Sequence, residues 1–122
     1  PPRSTLFPYT TLFRSLVNTG WVGCNASSGA ARISLPITRQ IIHAILDGSI
    51  QSSEFVEDPY FGFQVPITLA DIDPGILVPK SAWADENEYT STAHDLVQKF
   101  QDNFKQYDRG DEVVKNAGPT IN

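Results

Sequence analysis

From residue 32 to residue 50 the chain reads RISLPITRQIIHAILDGSI. Ile37, Ile41, Ile42, Ile45 and Leu46 recur at the spacing of one helix face, while Arg39, His43 and Asp47 fall on the other. Pro36 suits a first helical turn, where its missing N–H would have no partner. Gly48 supplies the stop expected just past a helix end. The spacing therefore predicts an amphipathic helix from about Pro36 to Asp47.

Upstream of this helix, Leu16-Val17-Asn18 reads as the end of a strand. It runs into Thr19-Gly20-Trp21-Val22-Gly23 and then a stretch of small residues from Cys24 to Ala31. Gly20, Gly23 and Gly29 permit positive φ and close approach of backbone to a ligand. Downstream, Phe55-Val56 and the run from Tyr60 to Val65 alternate enough for one or two short strands, punctuated by Pro59, Pro66, Pro74 and Pro79. Asp85 reads as an N-cap with Glu88 three residues on, a variant of the capping box. Beyond it Tyr89, Ala93, Leu96, Val97, Phe100, Phe104 and Tyr107 form one apolar stripe, broken at Arg109-Gly110. A further turn or two of helix fits residues 111–116. The order strand, loop, helix, extended segment, helix gives an α/β or α+β class, with too few strands for a complete sheet.

Composition narrows the function. A chain of 122 residues with 40% hydrophobic and 11% aromatic content has enough apolar material for a core, so wholesale disorder is excluded. No apolar run reaches the ~20 residues of a membrane span and no signal peptide is recognisable, so a soluble, unexported chain is expected. The single cysteine, Cys24, excludes an internal disulfide framework. With 9 Lys and Arg against 14 Asp and Glu, no basic tract exists to neutralise a phosphate backbone, and nucleic acid is disfavoured as a partner. The absence of methionine and the Pro1-Pro2 start lead us to expect a piece of something longer.

Residues 5–15 read TLFPYTTLFRS, which is the translation of a widely used sequencing adapter in one open frame. Composition alone would also permit a pair of Ser/Thr/aromatic strands broken at Pro8. Residues 1–15 are therefore expected to be an artefact rather than a domain, leaving residues 16–122 as the protein proper. Setting aside Arg3 and Arg14 leaves 7 basic and 14 acidic residues, a formal charge of −7 in place of −5.

One constellation has the look of a ligand site: the glycine-containing loop, Arg32, and the helix start that follows. Loop amides and a helix N-terminus favour anions, and a guanidinium can hold a phosphate or lie flat on a base. The spacing matches neither the dinucleotide fingerprint nor the phosphate-binding loop, so the pattern alone favours a plain connecting loop. Thr38 has two readings as well: a hydroxyl offered to a nucleotide, or local bonding in the first helical turn. His43 and Asp47, four apart, could share a metal but lack a nearby third ligand, which favours a solvated surface pair. His94 beside Asp95 reads as surface. Cys24 has neither base nor CxxC partner, so nucleophilic catalysis has no support. The Asn25-Ala26-Ser27 sequon means nothing without export. Asp71 and Asp73 read as turn formers, Trp21 and Trp83 as packing residues.

LVNTGW (residues 16–21), RISLPITRQIIHAILDGSI (32–50) and AGP (117–119) closely resemble the C-terminal part of ATP-dependent phosphoenolpyruvate carboxykinase. YFGFQVP (60–66) and ILVPKSAWAD (76–85) are similar to two intervening blocks of that family, in the same order. The resemblance implies an incomplete C-terminal part of the family's nucleotide-binding domain. It implies a parent enzyme that converts oxaloacetate and ATP to phosphoenolpyruvate, ADP and CO2 with Mg2+ and Mn2+ in the cytoplasm. It also implies that Arg32 contacts the nucleotide through its guanidinium, Ile33 helps enclose the base, and Thr38 makes a polar contact. Ala31, Val78 and Lys80 depart from the residues common in the family, without touching those three positions. The family's phosphate loop, metal ligands and oxaloacetate-binding arginine lie upstream, so no catalytic or metal-ligating residue is expected here. The chain by itself is expected to be inert, because phosphoryl transfer needs metal and phosphate positioning. No protein partner is implied.

A different class of function competes with this one. A small acidic interaction module could dock a partner through the apolar stripe of residues 89–107, and a truncated domain would expose such a stripe too. Coding sequence upstream of Leu16 discriminates between them.

Overall fold

A computed structural model describes residues 15–121. The adapter-like stretch lies outside the described residues except for Ser15. Two short antiparallel ribbons and two main helices organise the chain, in agreement with the α+β class.

The first ribbon joins β1 (Trp21–Val22) to β2 (Ala31–Arg32), with Trp21 opposite Arg32 and Val22 opposite Ala31. The expected strand at residues 16–18 is not formed; the backbone reaches a ladder only at Trp21. A single turn of tight helix, Ala26–Ser28, and Gly29 at φ 84 close the ribbon where the sequence suggested only a loop. Helix α1 (Leu35–Leu46) follows, with Pro36 in its first turn and Asp47 ending it before Gly48, as the periodicity predicts. Ile37 and Ile41 of its apolar face meet an aliphatic cluster, whereas Ile42 and Leu46, expected on the same face, are exposed. Ala44, Leu69 and Ile72 are buried there, with Ile37, Ile41, Ile50, Ile76 and Leu77 packed against them. Removing such side chains from water stabilises the fold by roughly 1.5–3 kcal/mol for each fully buried one.

The second ribbon pairs β3 (Phe55–Glu57) with β4 (Gln64–Pro66). The alternation from Tyr60 onward suggested an earlier start for β4, but residues 59–62 form the turn instead. Asp58 accounts for the difference. Its carboxylate accepts the Phe61 N–H at 2.7 Å and its carbonyl accepts the Gly62 N–H at 2.9 Å. Gly62 takes φ 67, a left-handed conformation that a β-branched residue would resist.

Two single-turn helices, α2 (Pro74–Leu77) and α3 (Pro79–Ala82), lead to the long helix α4 (Glu86–Phe104). Asp85 caps α4 by accepting the N–H groups of Asn87 and Glu88 at 2.7 and 3.3 Å. Asp73 caps α2 in the same manner, which confirms it as a turn former. Tyr89, Ala93 and Val97 turn inward, Val97 being fully buried, whereas Leu96 and Phe100 are half exposed. Aromatic side chains hold this region: Tyr60 stands edge-on to His94, Phe61 edge-on to Phe100, and Trp83 edge-on to Tyr89. Helix α5 (Glu112–Asn116), capped by Asp111, precedes a tail pinned by two bonds. Thr120 N–H donates to the Tyr60 carbonyl, and Gln101 donates to the Pro119 carbonyl, each at 2.9 Å.

Candidate functional site

Arg32, Ile33 and Thr38 lie within one ribbon-to-helix transition. The ladder continues one step past β2, with Ile33 N–H donating to the Gly20 carbonyl at 3.1 Å. In an antiparallel pair, directly opposed residues project from the same face. Trp21 and Arg32 are such a pair, and the Arg32 guanidinium carbon lies 4.6 Å from the centroid of the Trp21 ring. This is a cation–π stack. Among the described residues the guanidinium has no ion pair and no hydrogen bond, and the residue is exposed.

Two residues later Ser34 is the N-cap of α1, yet its side chain makes no capping bond. The helix start therefore keeps donors and a partial positive charge available to an anion. Ile33 is half-buried beside this start. Thr38 is only 8% exposed, and its hydroxyl donates to the Ser34 carbonyl at 3.1 Å. Of the two readings of Thr38, the local bond is the one made here; the oxygen retains lone pairs that can accept. The geometry combines a planar cation with no ion pair among the described residues, an apolar neighbour and an uncapped helix N-terminus, which is an arrangement suited to an anionic, flat ligand.

The glycines of the preceding loop serve the fold more than a ligand. Gly23, at φ 85, brings its backbone so close to α3 that a Cβ would stand 3.0 Å from the Ala82 carbonyl oxygen. Cys24 is half-buried, with its Sγ 3.9 Å from the Ser28 carbonyl.

The remaining sequence candidates separate. His43 is exposed, and the Asp47 carboxylate is committed to the turn after α1. Hydrogen bonds from Ser49 hold Asp47 below the usual carboxylate range, aided by the neighbouring His43. His94 is not a plain surface residue, because its ring is half-buried edge-on to Tyr60, 5.5 Å between centroids. Among the described residues no three His, Cys, Asp or Glu side chains converge, so no step through Mg2+ or Mn2+ is assigned to them. No helix among them is long and apolar enough to cross a membrane. A cleft of about 330 Å³ lies elsewhere, between the hairpin turn at Tyr60 and Phe61 and the tail at residues 116–120. Sequence reasoning missed the role of Trp21, taken as a packing residue; only the strand register reveals its pairing with Arg32.

The ribbon, α1 and the aliphatic cluster coincide with the part of the chain that a known family describes. The family model for phosphoenolpyruvate carboxykinase matches residues 11–75, a span that includes Thr11–Ser15 of the adapter-like stretch. The chain belongs to the phosphoenolpyruvate carboxykinase family. A protein of Novosphingobium aromaticivorans named phosphoenolpyruvate carboxykinase (ATP) is 47% identical over 106 residues, covering 85% of this chain and 20% of the relative. The proteins of that name from Methylobacterium radiotolerans and Caldanaerobacter subterraneus are 45% and 41% identical, covering 86% and 85% of this chain and 20% of each relative. The chain thus spans about a fifth of the length of the curated relatives it matches.

Proposed function

We propose that residues 16–122 are the C-terminal part of the nucleotide-binding domain of an ATP-dependent phosphoenolpyruvate carboxykinase. The complete enzyme converts oxaloacetate and ATP to phosphoenolpyruvate, ADP and CO2 in the cytoplasm. Within it Arg32, Ile33 and Thr38 form one wall of the ATP pocket: the guanidinium meets the nucleotide, Ile33 shields the base, and Thr38 offers its hydroxyl oxygen. The observation that carries this reading is the Arg32 guanidinium, stacked on Trp21 and without an ion pair among the described residues, two residues before an uncapped helix start. Mg2+ and Mn2+ supply charge neutralisation at the transferring phosphoryl group in such an enzyme, and their ligands belong to the upstream part. Residues 1–15 take no part in this function. By itself the 122-residue chain supplies one side of a pocket and forms no phosphoenolpyruvate.

Dissociation constants of ATP and oxaloacetate for variants of the full-length enzyme test the assignment. Arg32→Ala should weaken ATP binding, and Arg32→Lys should restore only part of it, because the charge returns without the plane. Thr38→Val should cost about 0.5–1.5 kcal/mol of ATP binding, the worth of one ordinary hydrogen bond. Oxaloacetate affinity should stay near its original value throughout. Unchanged ATP affinity in a correctly folded Arg32→Ala enzyme would return Arg32 to a plain connecting loop.

A further inference from the structure

We propose that Trp21 is a positioning residue for the nucleotide site, holding the Arg32 guanidinium flat so that its outer face meets the base. This rests on the reading that Arg32 contacts the nucleotide, and extends it to a residue that touches no ligand itself.

Three observations converge on Trp21. It is 49% exposed, so its ring is not enclosed by the core of the described residues. It is the direct cross-strand partner of Arg32, in a ladder whose next step is fixed by the Ile33-to-Gly20 bond. Its ring lies 4.6 Å from the guanidinium carbon, and no carboxylate among the described residues pairs with Arg32. The indole is therefore the group that selects the arginine's orientation. An arginine left on an exposed ribbon without such a partner samples many rotamers and loses that freedom on binding. The stack removes part of the loss in advance. One face of the guanidinium lies on the indole, and no described residue bonds its N–H groups, so the opposite face and the edge can meet a base and its acceptors. A carboxylate partner would have competed with the ligand for those donors, whereas a ring face leaves them free.

A double-mutant cycle in the full-length enzyme decides it. Trp21→Leu keeps apolar bulk but removes the π face, and should weaken ATP binding about two- to fivefold, the range of an exposed cation–π contact. Trp21→Phe keeps a ring and should recover most of the affinity. On the Arg32→Ala background, Trp21→Leu should add no further loss, and oxaloacetate affinity should be the same in every variant. If Trp21→Leu does not fold, Trp21→Phe carries the same cycle with a smaller loss. Equal losses in Phe and Leu variants, or a loss that persists on the Arg32→Ala background, would overturn the positioning role and leave Trp21 as a packing residue. An Arg32→Ala enzyme with unchanged ATP affinity would instead remove the nucleotide reading beneath it.

Discussion

The half of the chain around α1 and the half around α4 are both held by apolar contacts, but they use their aromatic rings differently. Around α4 the rings meet one another: Tyr60 with Tyr89 and His94, Phe61 with Phe63 and Phe100, Trp83 with Tyr89. Around α1 the core is aliphatic, built on Ala44, Leu69 and Ile72, and the neighbouring ring of Trp21 faces a cation. Ring-on-ring contacts are satisfied within the fold. The Trp21 ring instead stacks on a guanidinium that has no ion pair among the described residues. On our proposal the β1–β2–α1 region meets the nucleotide, while the rings around α4 pack on one another.

Truncations within the two cores break or sharpen the comparison. Leu69→Ala removes most of a buried aliphatic side chain and should cost about 2–4 kcal/mol, read by urea unfolding of the chain. Val97→Ala, in the α4 region, deletes two methyl groups from a fully buried site and should cost about 1.5–2 kcal/mol. A reversed order would mean that the aromatic half carries more of the stability than the aliphatic half.

Asp85→Ala should come next, at about 1 kcal/mol, because it removes the acceptor for two first-turn N–H groups of α4. Loss of helicity confined to α4, followed by amide exchange, would mark the effect as local; exchange spreading into α1 would show that the two halves unfold together.

The smallest effect is a pH dependence. Burial, with the nearby Asp58 carboxylate and Tyr60, raises the Tyr89 phenol above the ordinary tyrosine value. The unfolded chain ionises this group first as pH rises, so the folded state's advantage is intact below about pH 10 and declines above it. Tyr89→Phe should flatten that alkaline decline, measured as unfolding midpoint against pH. An unchanged slope would show that Tyr89 is no drier in the folded state than in the unfolded one.

The sequence carried the long elements well. Isoleucines at helical spacing, Pro36 and Gly48 mark α1 at nearly its observed bounds, and Asp85 marks the start of α4. Both signals are local, because a repeated face and a cap are written within a few residues. The short ribbons were less legible. A two-residue ladder such as β1–β2 has no periodicity to read, and the alternation at Tyr60–Phe63 was overridden by the turn that Asp58 closes. The resemblance pointed to Arg32, Ile33 and Thr38, which lie in one ribbon-to-helix transition; their contacts with a nucleotide are our proposal. The Trp21–Arg32 stack was illegible because it depends on register across a hairpin. His94 was misread for a related reason: its partner, Tyr60, comes from a distant turn.

Photolabelling of the full-length enzyme with 8-azido-ATP, followed by peptide mapping, tests the central claim most directly. The account predicts label within residues 20–38, suppressed by excess ATP but not by oxaloacetate. ATP-protected label that falls entirely outside that span would contradict it.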